Sequence, residues 1–209
     1  MDISLTAPTV LTLLRIGLVP VFVVVFYLPF GWANEVTVLV FALAAITDWL
    51  DGVLARRMGQ SSDFGAFLDP VADKLMVAIA LVLLVQVDPT PFLAIPAAVI
   101  VAREILISAL REWMAEIGRR AHVAVTIVAK VKTAMQMIAV VLMLYREPVA
   151  GFPTRLAGYL LLYVAVVLTL WTMYMYLRTA WIHVQGEPAV AGVHPPAGES
   201  RRAGDERYW

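Results

Sequence analysis

The chain has 209 residues, of which 61% are hydrophobic and 15% charged, with no cysteine and a mean hydropathy of +0.81. An ordinary soluble domain is about 45–50% apolar and about 25% charged, so a soluble enzyme, a disordered chain, a nucleic-acid binder and a disulfide-rich secreted domain are all excluded. Sixteen Lys and Arg balance sixteen Asp and Glu, so bulk charge selects no partner.

The apolar share is about 127 residues, close to what six membrane helices of about 21 residues require. Apolar runs bounded by polar, Pro and Gly breaks predict spans at 9–29, 35–57, 66–87, 92–114, 122–145 and 156–178. The first contains Arg15 and Pro20 and lacks the basic leader and small-residue cleavage site of a signal peptide. The connecting segments are short. They imply one all-α domain over residues 1–183, a polytopic membrane protein with six transmembrane helices. Residues 184–209, rich in Pro, Gly and charge, read as a polar, flexible cytoplasmic tail.

Basic residues in short loops set orientation. With a cytoplasmic N-terminus, the inner segments hold Arg56, Arg57, Arg111, Arg119, Arg120, Arg178, Arg201, Arg202 and Arg207, and the outer loops hold only Arg146 and Arg155. Both termini are therefore expected in the cytoplasm.

An ionised side chain within the hydrocarbon costs about 2.5–3.5 kcal/mol even on lenient insertion scales. Yet the spans carry Arg15, Asp48, Asp51, Asp69, Asp73, Lys74, Arg103, Glu104, Lys130 and Lys132. Interhelical salt bridges and snorkelling helix ends could account for each one singly. Their depths argue for more. Counted inward at about 1.5 Å per residue, the charges of five alternating helices fall in one slab roughly 5–17 Å below the cytoplasmic surface. Scattered ion pairs would not sort by depth, so the pattern predicts a polar cavity facing the cytoplasm.

Asp48 and Asp51 are spaced i,i+3, and Asp69 and Asp73 i,i+4, so each pair shares a helix face. Four carboxylates alone in one low-dielectric cavity would repel each other and take up protons. Hard divalent cations remove that problem, and oxygen donors without His or Cys point to Mg²⁺ or Mn²⁺. Two metals bridged by carboxylates suit a diphosphate substrate. Gly52 and Ala55 lack bulk and admit a flat nucleotide or a phosphate; Arg56 adds a fixed guanidinium fork. The segment 58–65 reads as a loop ending in Gly65 and carrying a solvated Asp63, with Pro70 in the first turn of the next helix.

These residues carry a family resemblance. Asp48-Trp-Leu-Asp51-Gly52-Val-Leu-Ala55-Arg56, then Gly65-Ala-Phe-Leu-Asp69-Pro-Val-Ala-Asp73, fits D-x-x-D-G-x-x-A-R-x(8)-G-x-x-x-D-x-x-x-D at every fixed position. The chain thus resembles the CDP-alcohol phosphatidyltransferases over residues about 6–180. The resemblance implies transfer of a phosphatidyl group from CDP-diacylglycerol to an alcohol with release of CMP. It also implies CDP-diacylglycerol binding by Asp48, Asp51, Gly52, Ala55, Arg56, Gly65 and Asp69. Two divalent metals would sit on Asp48, Asp51, Asp69 and Asp73, with Asp73 as general base, in a homodimer of the inner (cytoplasmic) membrane.

A second stretch resembles the branch of that family whose acceptor is glycerol 3-phosphate. It comprises Arg103-Glu104-Ile-Leu-Ile-Ser108-Ala-Leu-Arg111-Glu112 and Ala129-Lys130-Val-Lys132-Thr133-Ala-Met-Gln136, with an opening at Pro8-Thr9-Val-Leu-Thr12-Leu-Leu-Arg15. Thr9 and Ala129 stand where Asn and Gly are commoner. Charge agrees, since Arg103, Arg111, Lys130 and Lys132 supply the cations that a phosphate dianion requires. Lys130 and Lys132 are about 200° apart on an ideal helix, so one of them is expected to face the phosphate. Glu104 either orients Arg103 or is a plain ion-pair partner. Alternatives are another phosphorylated polyol, such as inositol phosphate, or an ion-coupled transporter. Arg119 and Arg120 suit anionic headgroups, His122 an interfacial position, and Trp171, Tyr174 and Tyr176 packing or an aromatic belt. Ser108 has no adjacent base.

Overall fold

The computed structural model describes residues 7–58, 63–116, 127–149 and 151–185. They form six helices: α1 (Ala7–Phe26), α2 (Ala33–Met58), α3 (Asp63–Val87), α4 (Pro91–Glu116), α5 (Ile127–Tyr145) and α6 (Thr154–Gln185). Among the described residues the only β pairing is an isolated bridge between Val149 and Phe152 in the α5–α6 turn. The expected all-α architecture is therefore present, one helix for each predicted span.

Boundaries moved where capping chemistry, rather than apolarity, ends a helix. Thr90 accepts the first amides of α4 (Leu93 N at 3.0 Å and Ala94 N at 2.9 Å), and Pro91 occupies the position where a missing N–H costs least. Helix α6 runs seven residues past the predicted 178, to Gln185. Its apolar content ends first, and the Gly186 and Pro188 breakers come only afterwards. Helix α3 begins at Asp63 rather than 66. Asp63 is thus helical, not loop-borne, and Pro70 is the eighth residue of the helix rather than part of its first turn. The predicted start at 122 of the fifth span, with His122, Arg119 and Arg120, lies outside the described residues, as does the tail from 186 onward.

All six helices contribute to the core, with α1 packed on α2 and α3, and α6 packed along α5 and α4. The core centres on Phe22, Phe41, Leu81, Leu93, Ile100, Val140 and Leu162, all fully buried, with the Phe22 and Phe41 rings 6.0 Å apart. Close α5–α6 packing depends on Gly158. A Cβ there would stand 2.5 Å from the Met143 Cγ and 3.2 Å from the Ala139 carbonyl oxygen, a small-residue contact of the kind that lets membrane helices approach.

Large apolar side chains also cover the outside: Val82, Ile95, Ile105, Leu160, Val167 and Trp171 are all more than 60% exposed. Among the described residues, two helical stretches, Pro91–Met114 and Thr154–Thr179, are long and apolar enough to cross a membrane, and Val10–Phe26, Lys74–Val87 and Val131–Tyr145 are further apolar stretches. Polar side chains concentrate at the two ends of the bundle. One end carries Asp88, Arg155, Tyr159 and the Arg146 guanidinium, which lies 4.6 Å over the Phe26 ring. The other carries the candidate site.

Candidate active site

The site is built from ion pairs that cross between helices. On α1, Arg15 is buried, and its Nη1 donates to Asp48 Oδ1 on α2 at 2.6 Å. Asp48 is 41% exposed, so one carboxylate edge meets a buried cation while the rest opens outward. Arg15 and Asp48 line a cleft with Phe41, Ala44, Ala45, Met76 and Met137. Helix α2 continues through Asp51, Gly52, Ala55 and Arg56, and α3 carries Gly65, Asp69 and Asp73. The side chains at these seven positions lie outside the described residues. Among the described residues no three His, Cys, Asp or Glu come together; that set includes Asp48 but not Asp51, Asp69 or Asp73. The chemistry of the donor set fits a hard divalent cation: all four candidates are carboxylates, and Asp48 keeps an edge exposed beside the cleft.

A second network joins α4, α5 and α6. Glu104 Oε1 accepts from Arg103 Nη1 at 2.6 Å and from Lys132 Nζ at 3.1 Å. Arg103 Nη2 reaches Thr172 Oγ1 on α6 at 3.4 Å, and that hydroxyl donates to the Thr169 carbonyl at 3.0 Å. Arg103 and Lys132 are both buried, whereas Glu104 is 25% exposed. Two buried cations are thus gathered on one partly exposed carboxylate. Taking charges out of water is costly unless they are compensated, and Glu104 supplies part of that compensation.

Arg111 sits toward the end of α4. Its Nη2 donates to the Tyr176 hydroxyl at 2.8 Å, and its guanidinium carbon stands 5.1 Å above the Tyr176 ring. Of the four predicted acceptor cations, Arg103 and Lys132 are thus brought together on Glu104, and Arg111 lies apart on Tyr176. The Lys130 side chain is outside the described residues. Sequence reasoning missed Thr172 and the Arg111–Tyr176 pairing. The signal was present as Thr169, Thr172 and Tyr176, polar side chains spaced three and four apart along an apolar helix and so on one face. Ser108 donates to the Glu104 carbonyl at 2.6 Å, an ordinary helical back-bond.

At the opposite end, Asp88 accepts from Tyr159 and Arg155. These two donors, Tyr159 foremost, hold its carboxyl below the ordinary carboxylate range.

The bundle carries aspartates spaced i,i+3 on α2 and i,i+4 on α3, and Arg103 and Lys132 are buried on α4 and α5. The model of the CDP-alcohol phosphatidyltransferase family matches residues 5–171, and the chain belongs to that family. Membership decides against the ion-coupled transporter. Among similar proteins, the CDP-diacylglycerol–glycerol-3-phosphate 3-phosphatidyltransferase of Salmonella typhimurium is 57% identical over 173 residues, covering 83% of this chain and 93% of the relative. The protein of the same name from Yersinia pestis is 54% identical over 178 residues, 85% of this chain and 96% of the relative.

Proposed function

We propose that this chain transfers the phosphatidyl group of CDP-diacylglycerol to glycerol 3-phosphate, giving phosphatidylglycerophosphate and CMP, at a cytoplasm-facing cavity of a six-span inner-membrane protein. The observation that carries the acceptor is the pair of buried cations, Arg103 and Lys132, gathered about Glu104. A phosphate monoester offers such cations a dianion to bind, and an uncharged polyol does not. The names of the similar bacterial proteins support the same donor and acceptor. The apolar exterior suits six spans.

In this reading Asp48, Asp51, Asp69 and Asp73 hold two divalent cations, Mg²⁺ or Mn²⁺, which when bound neutralise the diphosphate and stabilise the leaving phosphate. Arg15 keeps Asp48 in place. Gly52, Ala55 and Gly65 leave space for the CDP moiety, and Arg56 offers a fork to its phosphates. Arg103 and Lys132, gathered on Glu104, bind the acceptor phosphate, and Lys130 and Arg111 add positive charge to the acceptor side. Asp73 takes the proton from the C1 hydroxyl of glycerol 3-phosphate as that oxygen attacks the phosphorus bearing diacylglycerol. The bond from phosphorus to the CMP oxygen breaks, and CMP leaves with the electron pair. Positioning and charge stabilisation supply most of the acceleration.

Purified full-length protein in detergent, given CDP-diacylglycerol and Mg²⁺, should release CMP when glycerol 3-phosphate is added. Release with inositol phosphate in its place, or with neither, refutes the reading.

A further inference from the structure

Arg103 is held from two sides in a way that leaves one edge of its guanidinium open. Nη1 is committed to Glu104 at 2.6 Å, on an oxygen that also anchors Lys132 at 3.1 Å. Nη2 makes only the 3.4 Å contact to Thr172 Oγ1, and Nε is buried without a hydrogen-bond partner among the described residues. Nε and Nη2 form the side-on edge of a guanidinium, whose two parallel N–H groups match two oxygens of a phosphate. The Thr172 hydroxyl gives its proton to Thr169, so it meets Nη2 as an acceptor and steadies that end of the fork.

We propose that Glu104 and Thr172 are positioning residues of the acceptor site, holding Arg103 so that its Nε–Nη2 edge is presented to the acceptor phosphate while Lys132 is kept beside it. This rests on the acceptor reading given above. Residues 103 and 104 are adjacent on α4 and diverge by about 100° around the axis, so Arg103 must curl back to reach Glu104. Three helices contribute: α4 supplies the arginine and the carboxylate, α5 the lysine and α6 the threonine. A charge held by a 2.6 Å bond within its own helix and a contact from α6 arrives pre-ordered, which spares the entropy of fixing it when substrate binds.

Glu104→Gln separates positioning from simple charge balance by the sign of its effect. Removing a negative charge makes the cluster more positive, so a carboxylate that merely tempers the field predicts a lower KM for glycerol 3-phosphate. A positioning carboxylate predicts the opposite, because a neutral amide oxygen holds Arg103 and Lys132 more weakly than the charged oxygen that now anchors both. The experiment is steady-state CMP release by full-length wild type, E104Q, T172V and T172S in mixed micelles. Glycerol 3-phosphate and CDP-diacylglycerol are varied in turn, each with the other saturating.

The expected result is a rise of about tenfold in the glycerol 3-phosphate KM of E104Q, as for loss of one charge-assisted hydrogen bond. T172V should show a smaller rise in the same direction, and T172S should recover it. The CDP-diacylglycerol KM and kcat should stay within about twofold of wild type. An unchanged or lowered glycerol 3-phosphate KM in E104Q overturns the proposal. If E104Q is not recovered folded, an unchanged KM in T172V overturns it. A wild type that cannot use glycerol 3-phosphate refutes the acceptor reading and this proposal together. An active wild type with an unaffected E104Q refutes the positioning role alone.

Discussion

Arg103 and Arg111 carry the same charge about two turns apart on α4, yet their surroundings differ. Arg103 is buried between a carboxylate and a hydroxyl, whereas Arg111 is exposed and stacked on Tyr176. Water competes with Arg111 for an anion and not with Arg103, so Arg103→Ala should raise the glycerol 3-phosphate KM well beyond Arg111→Ala. Neither should move the CDP-diacylglycerol KM by a comparable factor; steady-state kinetics with each substrate varied checks this. Asp73 shares a face of α3 with Asp69, one turn further from the helix start. As general base it should be worth about 10²–10⁴ in kcat. Asp73→Asn should show that loss with CDP-diacylglycerol binding largely retained, measurable by equilibrium binding of the lipid to the purified variant. The aspartate spacing was legible because carboxylates in an apolar run stand out singly. The Glu104 bridge was only half legible. Sequence placed the acid beside Arg103, but nothing along the chain announces that Lys132, 28 residues away, lands on the same oxygen.

At the scale of the helix, Pro96 sets a problem within α4 that α6 solves. Proline has no N–H, so the carbonyl of Phe92, four residues back, loses its intrahelical donor. Tyr163 supplies one, its hydroxyl donating to the Phe92 oxygen at 2.9 Å. In hydrocarbon a bare carbonyl is expensive. Tyr163→Phe should therefore lower thermal stability in detergent by a few degrees, corresponding to about 1–3 kcal/mol for an unsatisfied group, without altering either KM. Gly158→Leu should be harsher. Its branched side chain would have to enter the gap already closed by Met143 and the Ala139 carbonyl, and folded yield on size exclusion should collapse. Helix existence was readable from apolarity alone, because six runs separated by Pro, Gly and charge can hardly be parsed otherwise. Helix ends were not. Asp63 extends α3 backward and Gln185 extends α6 forward because backbone hydrogen bonding stops at caps and breakers, not where hydrophobicity fades.

Across the whole molecule, the two ends hold their charges differently. The site end gathers Arg103 and Lys132 on one partly exposed carboxylate, while the far end is a closed arrangement of Asp88 with Tyr159 and Arg155 that ties the α3–α4 turn to α6. Because folding depresses the Asp88 carboxyl, the unfolded chain binds its proton more readily. The stabilisation is complete above the ordinary aspartate pKa of about 3.9 and drains away as pH falls below it toward the depressed value. Melting temperature should be insensitive to this group between pH 7 and pH 5 and should fall in stronger acid; Asp88→Asn should melt lower at pH 7 and show a shallower acid decline. The same arrangement has a mechanical consequence. With the α3–α4 turn tied to α6 through Asp88 at one end and the candidate site at the other, the bundle is made like forceps. The fastened end is the pivot, and a slight tilt there becomes a wider separation at the tips of α4, α5 and α6. A two-tailed lipid entering sideways and a small phosphate ester entering from the cytoplasm could both be admitted by that leverage without disturbing the apolar packing between. Amide exchange should then be slowest around 84–94 and 154–160 and fastest toward the tips, and glycerol 3-phosphate should slow the tips while leaving the pivot as it was.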